Sequence, residues 1–349
     1  MSEDGASPAA AGVSRNEAIG DLLRRAGFAG ARYAYLDADA SFRRYARISG
    51  GPRPALLMDA PPDKEDIGPW LAVSRHLRGF GFSAPDVFAA DERAGLAVIE
   101  DFGDDTFTRV LAEGGDEAAL YDLAVDVLAA LHGIAPADAA PPWIPAYDDV
   151  RLLEEAALFT DWYMPAVLGM PTPPDLRTAY LGLWREALPA ARDVPETLVL
   201  RDYHVDNLMR IPGRSGIAAC GLLDFQDAVR GPVAYDVVSL IADARRDLGP
   251  GIGERARARY FAQCPALDRD AFDTAAAVLS AGRNAKIIGI FTRLWKRDGK
   301  PVYLTHIPRV WRLLERDLAH PALAALKAWF DDAVPQNRRE VPGGQGGRT

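Results

Sequence analysis

The sequence predicts an α+β protein of two lobes: a small N-terminal lobe built on an antiparallel β-sheet with a helix, and a larger, mostly helical C-terminal lobe. Three observations carry this. At 349 residues the chain exceeds one minimal domain, and length alone suggests about two. Before residue 101, short apolar runs alternate with turn residues, the mark of hairpin-linked strands. Beyond residue 106, apolar residues recur at helical spacing over long stretches.

Taken in order, residues 1–14 are mostly Ala, Gly, Ser and Pro with little to bury, and a disordered tail is expected there. Residues 16–27 place Ile19, Leu22, Leu23 and Ala26 on one helical face, closed by Gly27. Strands follow at 32–36, 44–49 and 54–59, then a helix over 63–79, then strands at 87–90 and 96–100 that complete a five-stranded sheet. The N-terminal lobe is therefore bounded at 15–101. The segment Glu100-Asp-Phe-Gly103 ends a strand with polar residues and a glycine, as a hinge between lobes does. The C-terminal lobe is expected over 102–334. In it, 117–132 carries Leu120, Leu123, Ala124, Val127, Leu128 and Leu131 on one stripe, with His132 as a cap near its end. Further helices are expected at 151–168, 176–188, 270–297 and 306–333, and a second polar tail over 335–349. No internal repeat is visible.

Composition excludes several classes. Net charge is −9, which opposes binding of nucleic-acid backbones, since those need a basic surface. No run of 18 apolar residues is present to cross a membrane. The opening MSEDGASPAAAGVSRNEA has early acids and no apolar core, unlike a secretory signal. Cys220 and Cys264 form no zinc-type cluster with histidine. A cytoplasmic protein with no obligate protein partner is the expectation.

The chemistry concentrates in 198–228, LVLRDYHVDNLMRIPGRSGIAACGLLDFQDA. Asp202 and Asn207 are separated by four residues, and the apolar run 217–223 ends at Asp224. Two carboxylates and an amide oxygen are hard ligands of the kind that hold Mg²⁺ together with nucleotide phosphates. The protein-kinase layout has this spacing: an Asp that accepts the acceptor's proton, an Asn on metal, and a later Asp at a strand end on metal. Arg201-Asp202 stands where such enzymes have Arg-Asp. Asp224-Phe225-Gln226 stands where they have Asp-Phe-Gly, with Gln226 in place of the glycine. The plain alternative is a β-hairpin whose Asp and Asn residues cap turns.

With Leu131-His132-Gly133, Leu200–Leu208, Gly221–Gln226 and Gly231–Asp236, the chain resembles the aminoglycoside phosphotransferase-like small-molecule kinases over about 32–333. The longer strings DASFRRY (39–45), MDAPPDKED (58–66), DWYMP (161–165), LLDFQDAVRGPVAYDVVSLIADARRD (222–247) and GRNAKIIGIFTRLWKRDGKPVYL (282–304) resemble its bacterial anomeric kinases of N-acetylmuramate and N-acetylglucosamine, enzymes of cell-wall sugar recycling. The resemblance implies a protein-kinase-like fold, ATP and Mg²⁺ as cofactors, and a sugar acceptor. It implies Asp202 as catalytic base and Asn207 and Asp224 as metal ligands. It implies that Asp236, at the start of its helix, holds the catalytic loop through backbone hydrogen bonds. The first hairpin turn would lie over the phosphates, with Ser41, Phe42, Arg43 and Arg44 as candidates. Glu100 and Phe102 at the hinge would meet the adenine. The family's third-strand lysine is missing: that strand reads Ala55-Leu-Leu-Met-Asp59, with Met58 where the lysine is expected. Lys64, Arg43 or Arg44 are the cations that can replace it.

His204, Asp227, Arg283, Asn284 and Lys286 are the candidates for acceptor contact. A sugar's face also suits the aromatic residues Trp143, Trp162, Tyr163, Trp295 and Tyr303. The segment 283–300 is rich in Arg and Lys within an acidic protein, which suits an anionic acceptor and equally a solvated helix face. Two rival readings stand beside this one. The first is a kinase of another small hydroxyl acceptor, such as an aminoglycoside, choline or homoserine. The second is a nucleotide-binding regulator without catalysis, prompted by the missing lysine.

Overall fold

The computed structural model describes residues 14–37 and 42–343. Ser41, residues 1–13 of the first expected tail and 344–349 of the second lie outside the described residues. Helix α1 (Arg15–Arg25) starts at a capping box, in which Ser14 and Glu17 satisfy each other's backbone N–H groups. Strands β1 (Arg32–Tyr35), β2 (Arg44–Ser49), β3 (Ala55–Asp59), β4 (Val87–Asp91) and β5 (Leu96–Glu100) form one antiparallel sheet in the order β1-β2-β3-β5-β4.

Alternation along the strands sends side chains to two cores. Ala46, Ile48, Ala55, Leu57, Leu96 and Val98 face outward and are covered by Ile19, Leu22 and Leu23 of α1. Met58, Ala97 and Ile99 face inward against Trp70, Leu71 and Leu77 of helix α2 (Gly68–Gly79). That inner core runs on without a break into the helical lobe. α2 is shorter than expected: 63–67 is turn, and Pro69 takes the first helical turn, where its missing N–H costs nothing.

The larger lobe begins with α3 (Phe107–Ala112), α4 (Glu117–His132) and the short α5 (Pro136–Ala139). Helix α6 (Asp149–Leu158) continues through a π-helical turn, Phe159–Tyr163, into α7 (Met164–Leu168). Helix α8 (Pro174–Ala187) follows. Two small sheets come next: β6 (Glu196–Val199) pairs with β9 (Val229–Pro232), and β7 (Leu208–Arg210) pairs with β8 (Cys220–Leu222). The lobe closes with α9 (Ala234–Ile241), α10 (Ile252–Gln263), α11 (Arg269–Asp298), α12 (Ile307–Leu318) and α13 (Ala324–Ala333).

Three expectations need correction. α10 was not anticipated; its apolar residues are few, and only Ala256, Tyr260 and Phe261 are buried. The single helix expected at 306–333 is two, broken where His320 caps a turn that begins at Pro321. Residues 335–343, expected to belong to a polar tail, are in contact with the helical lobe. Arg339 reaches Glu315 and Asp331, and Tyr163 donates to the Glu340 carbonyl, so 335–343 packs against α12 and α13. Among the described residues no helix is long and apolar enough to cross a membrane.

Candidate active site

Asp202 follows β6, and Asn207 immediately precedes β7. Asp224 follows β8 after Leu223. Pairing of β7 with β8 therefore carries Asn207 and Asp224 to the same edge, and Leu223 N–H donates to the Asn207 carbonyl. The Asn207 amide donates to the Asp202 carbonyl at 2.9 Å and lies 3.4 Å from the Asp224 carboxylate. The three residues chosen from spacing thus share one place. Among the described residues, Arg201 (φ 70°) and Asp224 (φ 57°) are the non-glycine residues with left-handed backbone. Such conformations cost energy and persist where the surroundings impose them, commonly at functional sites.

Asp236 imposes one of them. It lies in the first turn of α9, is 1% exposed, and accepts from Leu200 N–H at 2.6 Å and Arg201 N–H at 2.9 Å. Burial pushes its carboxyl up to about 7 against the pull of those two hydrogen bonds. Ser239, one turn later, donates to the Arg201 carbonyl. The left-handed Arg201 is thus held at both its N–H and its carbonyl.

Around Asp202 the charges are mostly positive. Burial works to raise its pKa, but Lys286, then Arg283, His204 and Arg201, win and hold it below the ordinary carboxylate value. Lys286 sits 3.0 Å from Glu155, which also takes Arg201 and the Tyr147 hydroxyl. Glu155 was not singled out from sequence; nothing distinguishes it there from other helix acids. Arg283 is buried and donates to the Ala242 carbonyl. His204 is 5% exposed, and burial lowers its pKa. Among the described residues His204 Nδ1 has no hydrogen-bond partner, nor has Oδ2 of buried Asp243. Asp243 follows the end of α9, and its other oxygen accepts from Arg245 N–H. Two orphaned polar atoms beside the loop between β6 and β7 suit a hydroxylated ligand.

Not every candidate is brought here. Asn284 points to the other side of α11, where it donates to Asp317 and Ser280 in the core. A helix turns by about 100° per residue, so 283 and 284 cannot share a face. Tyr163 is fully buried among Phe159 and Trp311, and exposed Trp143 stacks edge-on with His76; neither belongs to an acceptor wall. The basic run divides: Arg283 and Lys286 face inward, while Lys296 and Arg297 are exposed. Asp227 is exposed, and its carbonyl accepts from Arg201.

Between the lobes lies a cavity of about 560 Å³, lined by Arg43, Arg44, Leu56, Ile99, Glu100, Phe102, Asn207, Met209 and Asp224 among others. Phe102 packs on Met209 and Ile211. The Glu100 N–H donates to the Asp86 carbonyl, and its carboxylate takes Arg214. Phe42 is 65% exposed and is not among the cavity's lining residues. Arg44 reaches Asp59 at 2.8 Å, and Asp59 also takes Arg15 and the Tyr35 hydroxyl. Arg43 is buried against Glu65. Met58 of β3 is fully buried, so the expected strand lysine has no counterpart on that strand.

A hard divalent cation fits the donors present. Asn207 spends its amide N–H groups on neighbouring oxygens, which leaves its carbonyl oxygen for a cation. Burial, then Asp202 and Asp227, raise the Asp224 pKa, a repulsion a cation would relieve. Among the described residues no group of three His, Cys, Asp or Glu forms a closed metal cage. Two protein oxygens completed by phosphates and water suit Mg²⁺ better than such a cage.

Two lobes about a cleft, with this Asp-Asn-Asp arrangement at its floor, define a phosphotransferase. Residues 33–272 match the model of the phosphotransferase enzyme family, and the chain belongs to that family. It is 37% identical to an N-acetylmuramate/N-acetylglucosamine kinase of Caulobacter vibrioides over 93% of this chain and 98% of that protein. A protein of the same name from Pseudomonas aeruginosa is 37% identical over 82% of this chain and 84% of that one. Among solved structures, a putative aminoglycoside phosphotransferase from Ralstonia eutropha superposes with TM-score 0.60 at 16% identity, covering 89% of this chain and 98% of that one. A choline/ethanolamine kinase family protein from Mesorhizobium loti gives 0.59 at 16% identity, covering 90% and 98%. These structural likenesses bear on fold alone.

Proposed function

We propose that the protein is an ATP-dependent kinase that phosphorylates the anomeric hydroxyl of N-acetylmuramate and N-acetylglucosamine, feeding cell-wall sugars back toward UDP-sugar precursors in the cytoplasm. The observation that carries this reading is the combination of the Asp202–Asn207–Asp224 floor with near full-length similarity to kinases named for these two sugars.

In this reading residues 15–101 bind the nucleotide with the cleft wall of 102–334, which supplies catalysis and acceptor binding. Asn207 and Asp224 hold Mg²⁺, which neutralises phosphate charge when bound. Asp202, kept ionised by Lys286 and Arg283, would accept the proton of the sugar hydroxyl as its oxygen bonds to the γ-phosphorus and the γ-phosphorus bond to the leaving ADP oxygen breaks. A hemiacetal hydroxyl is more acidic than an ordinary alcohol, so a carboxylate is a sufficient base. His204 Nδ1 and Asp243 Oδ2 would meet sugar hydroxyl or amide groups. Arg283 and Lys286 lie where a lactyl carboxylate, present only on N-acetylmuramate, would find positive charge.

Phosphorus NMR of products from ATP and a panel of free sugars tests the reading. The expected product is an acid-labile 1-phosphate, and the 1-O-methyl glycosides should not react. Phosphorylation of a blocked glycoside, or an acid-stable ester from the free sugar, would overturn the anomeric assignment. In the same assay Asp202→Asn should lose roughly 10²–10⁴ in turnover, the range of general-base contributions.

A further inference from the structure

The cleft contains a chain of polar contacts that crosses from the sheet lobe to the helical lobe and ends on Asp224. Glu65, in the turn before α2, accepts from Arg43 Nε at 2.9 Å and from Nη2. Arg43, one residue before β2, sends Nη1 to the Tyr45 hydroxyl at 3.4 Å and to Gln226 Oε1 at 3.2 Å. Gln226 Nε2 then donates to Asp224 Oδ1 at 2.8 Å. The orientation of the Gln226 amide follows from its neighbours: a guanidinium only donates and a carboxylate only accepts, so the oxygen must face Arg43 and the nitrogen Asp224. The Arg43 side chain is 6% exposed, which marks the pair with Glu65 as built into the fold and not a surface contact.

Position gives this chain its meaning. Arg43 and Asp224 line the same cavity, and Met58 leaves β3 without a cation toward it. Gln226 stands at the third position after the apolar run, where glycine in other kinases offers no side chain to hold the aspartate. A glycine there could not link the two lobes; a glutamine does. The left-handed backbone of Asp224 (φ 57°) turns its carboxylate into the cleft, and one oxygen is then pinned by Gln226.

We propose that Glu65, Arg43 and Gln226 form a strap of positioning residues. It places a positive charge at the phosphate end of the cleft in place of a strand lysine, and aims the Asp224 carboxylate at the metal. The ligand class is the magnesium complex of a nucleoside triphosphate. The proposal rests on the nucleotide-dependent reading above but not on the identity of the acceptor.

Calorimetry with a non-hydrolysable ATP analogue, run in Mg²⁺ and in EDTA without any sugar, separates the roles. Gln226→Leu should weaken affinity for the magnesium complex roughly 10–100-fold, the range for lost partners of metal ligands, and leave magnesium-free affinity within about twofold. The Mg²⁺ concentration giving half-maximal binding should rise with it. Arg43→Met should weaken binding in both conditions, because charge beside the phosphates is lost as well, and Arg43→Lys should restore part of the magnesium-free binding. The unfolding midpoint of each free variant reports folding; if Arg43→Met does not fold, Gln226→Met, of similar shape and without the amide, carries the test. Wild-type magnesium dependence in both Gln226 variants would overturn the strap. So would equal losses with and without magnesium, since a purely structural bridge predicts that. A wild-type protein that binds neither nucleotide form would overturn the kinase reading itself; a wrong acceptor would leave the strap standing.

Discussion

Lys286 shows how one residue acts on chemistry it does not perform. Its ammonium is the largest of the positive influences that keep Asp202 ionised, and Glu155 holds it in place at 3.0 Å. Removing the charge raises the Asp202 pKa. In the proposed mechanism Asp202 is the base, and a base works only when deprotonated, so the acid limb of the kcat/KM profile must move to higher pH. Lys286→Met is expected to shift that limb upward while the Mg²⁺ requirement stays as it was. A limb that does not move would remove Lys286 from the site. At this scale the sequence was legible where spacing alone joins residues: a hairpin returns Asn207 and Asp224 to one edge, and Asp202, five residues before Asn207, is tied to it through the Asn207 amide. It was not legible where partners are distant in sequence. Glu155 reaches Arg201 across 46 positions, and Gln226 reaches Arg43 across 183. Nothing local marks either as a partner.

At the scale of elements, α11 is the axis of the larger lobe. It runs from an Asp268 cap to a left-handed Gly299 and packs against α6, α9, α12 and the π-helical turn. Its crossing with α6 depends on Gly289. A β-carbon built there would lie 2.4 Å from the backbone of Leu158, which has no room to retreat because the π-turn follows directly. Gly289→Ala would ordinarily favour a helix by about 1 kcal/mol. Here overpacking opposes it, at typically 1–3 kcal/mol and more against rigid backbone. A net loss of stability in urea denaturation is expected, with Gly282→Ala, whose nearest neighbour is the Trp184 ring at 3.6 Å, as the tolerant comparison. A gain at Gly289 would mean the two helices do not meet this closely. Periodicity gave the existence of α1, α4, α8 and α11 and all five strands of the main sheet, because each buries a regular face. It failed for α10, whose few buried residues make no stripe, and at residue 320, where packing of two separate helices replaces the single one expected.

The whole molecule closes around the cleft, and Asp224 is where folding and binding pull in opposite directions. Its carboxylate is open to the cleft but flanked by the cleft walls, with Asp202 and Asp227 nearby, and its backbone is left-handed. A carboxyl whose folded pKa is raised contributes stability below its unfolded pKa and loses it as pH rises through the folded value. Once ionised, Asp224 therefore costs the free protein stability. Asn keeps the size and tolerates the left-handed backbone but carries no charge. Asp224→Asn should then melt at or above the wild-type midpoint without ligand. Binding reverses the order. Any ligand that binds the folded state at 100 times its Kd adds about 2.7 kcal/mol. In the wild type, Mg²⁺ with an ATP analogue should raise the midpoint more than the analogue in EDTA, because the metal joins the phosphates to the carboxylate. In Asp224→Asn that extra rise should vanish, while the rise in EDTA stays or grows with the repulsion removed. A differential scanning experiment with the four combinations of protein and Mg²⁺ decides it. An undiminished magnesium increment in the variant would take Asp224 out of the metal site, and a lower free midpoint would show that its charge is neutralised in the folded protein before any ligand arrives.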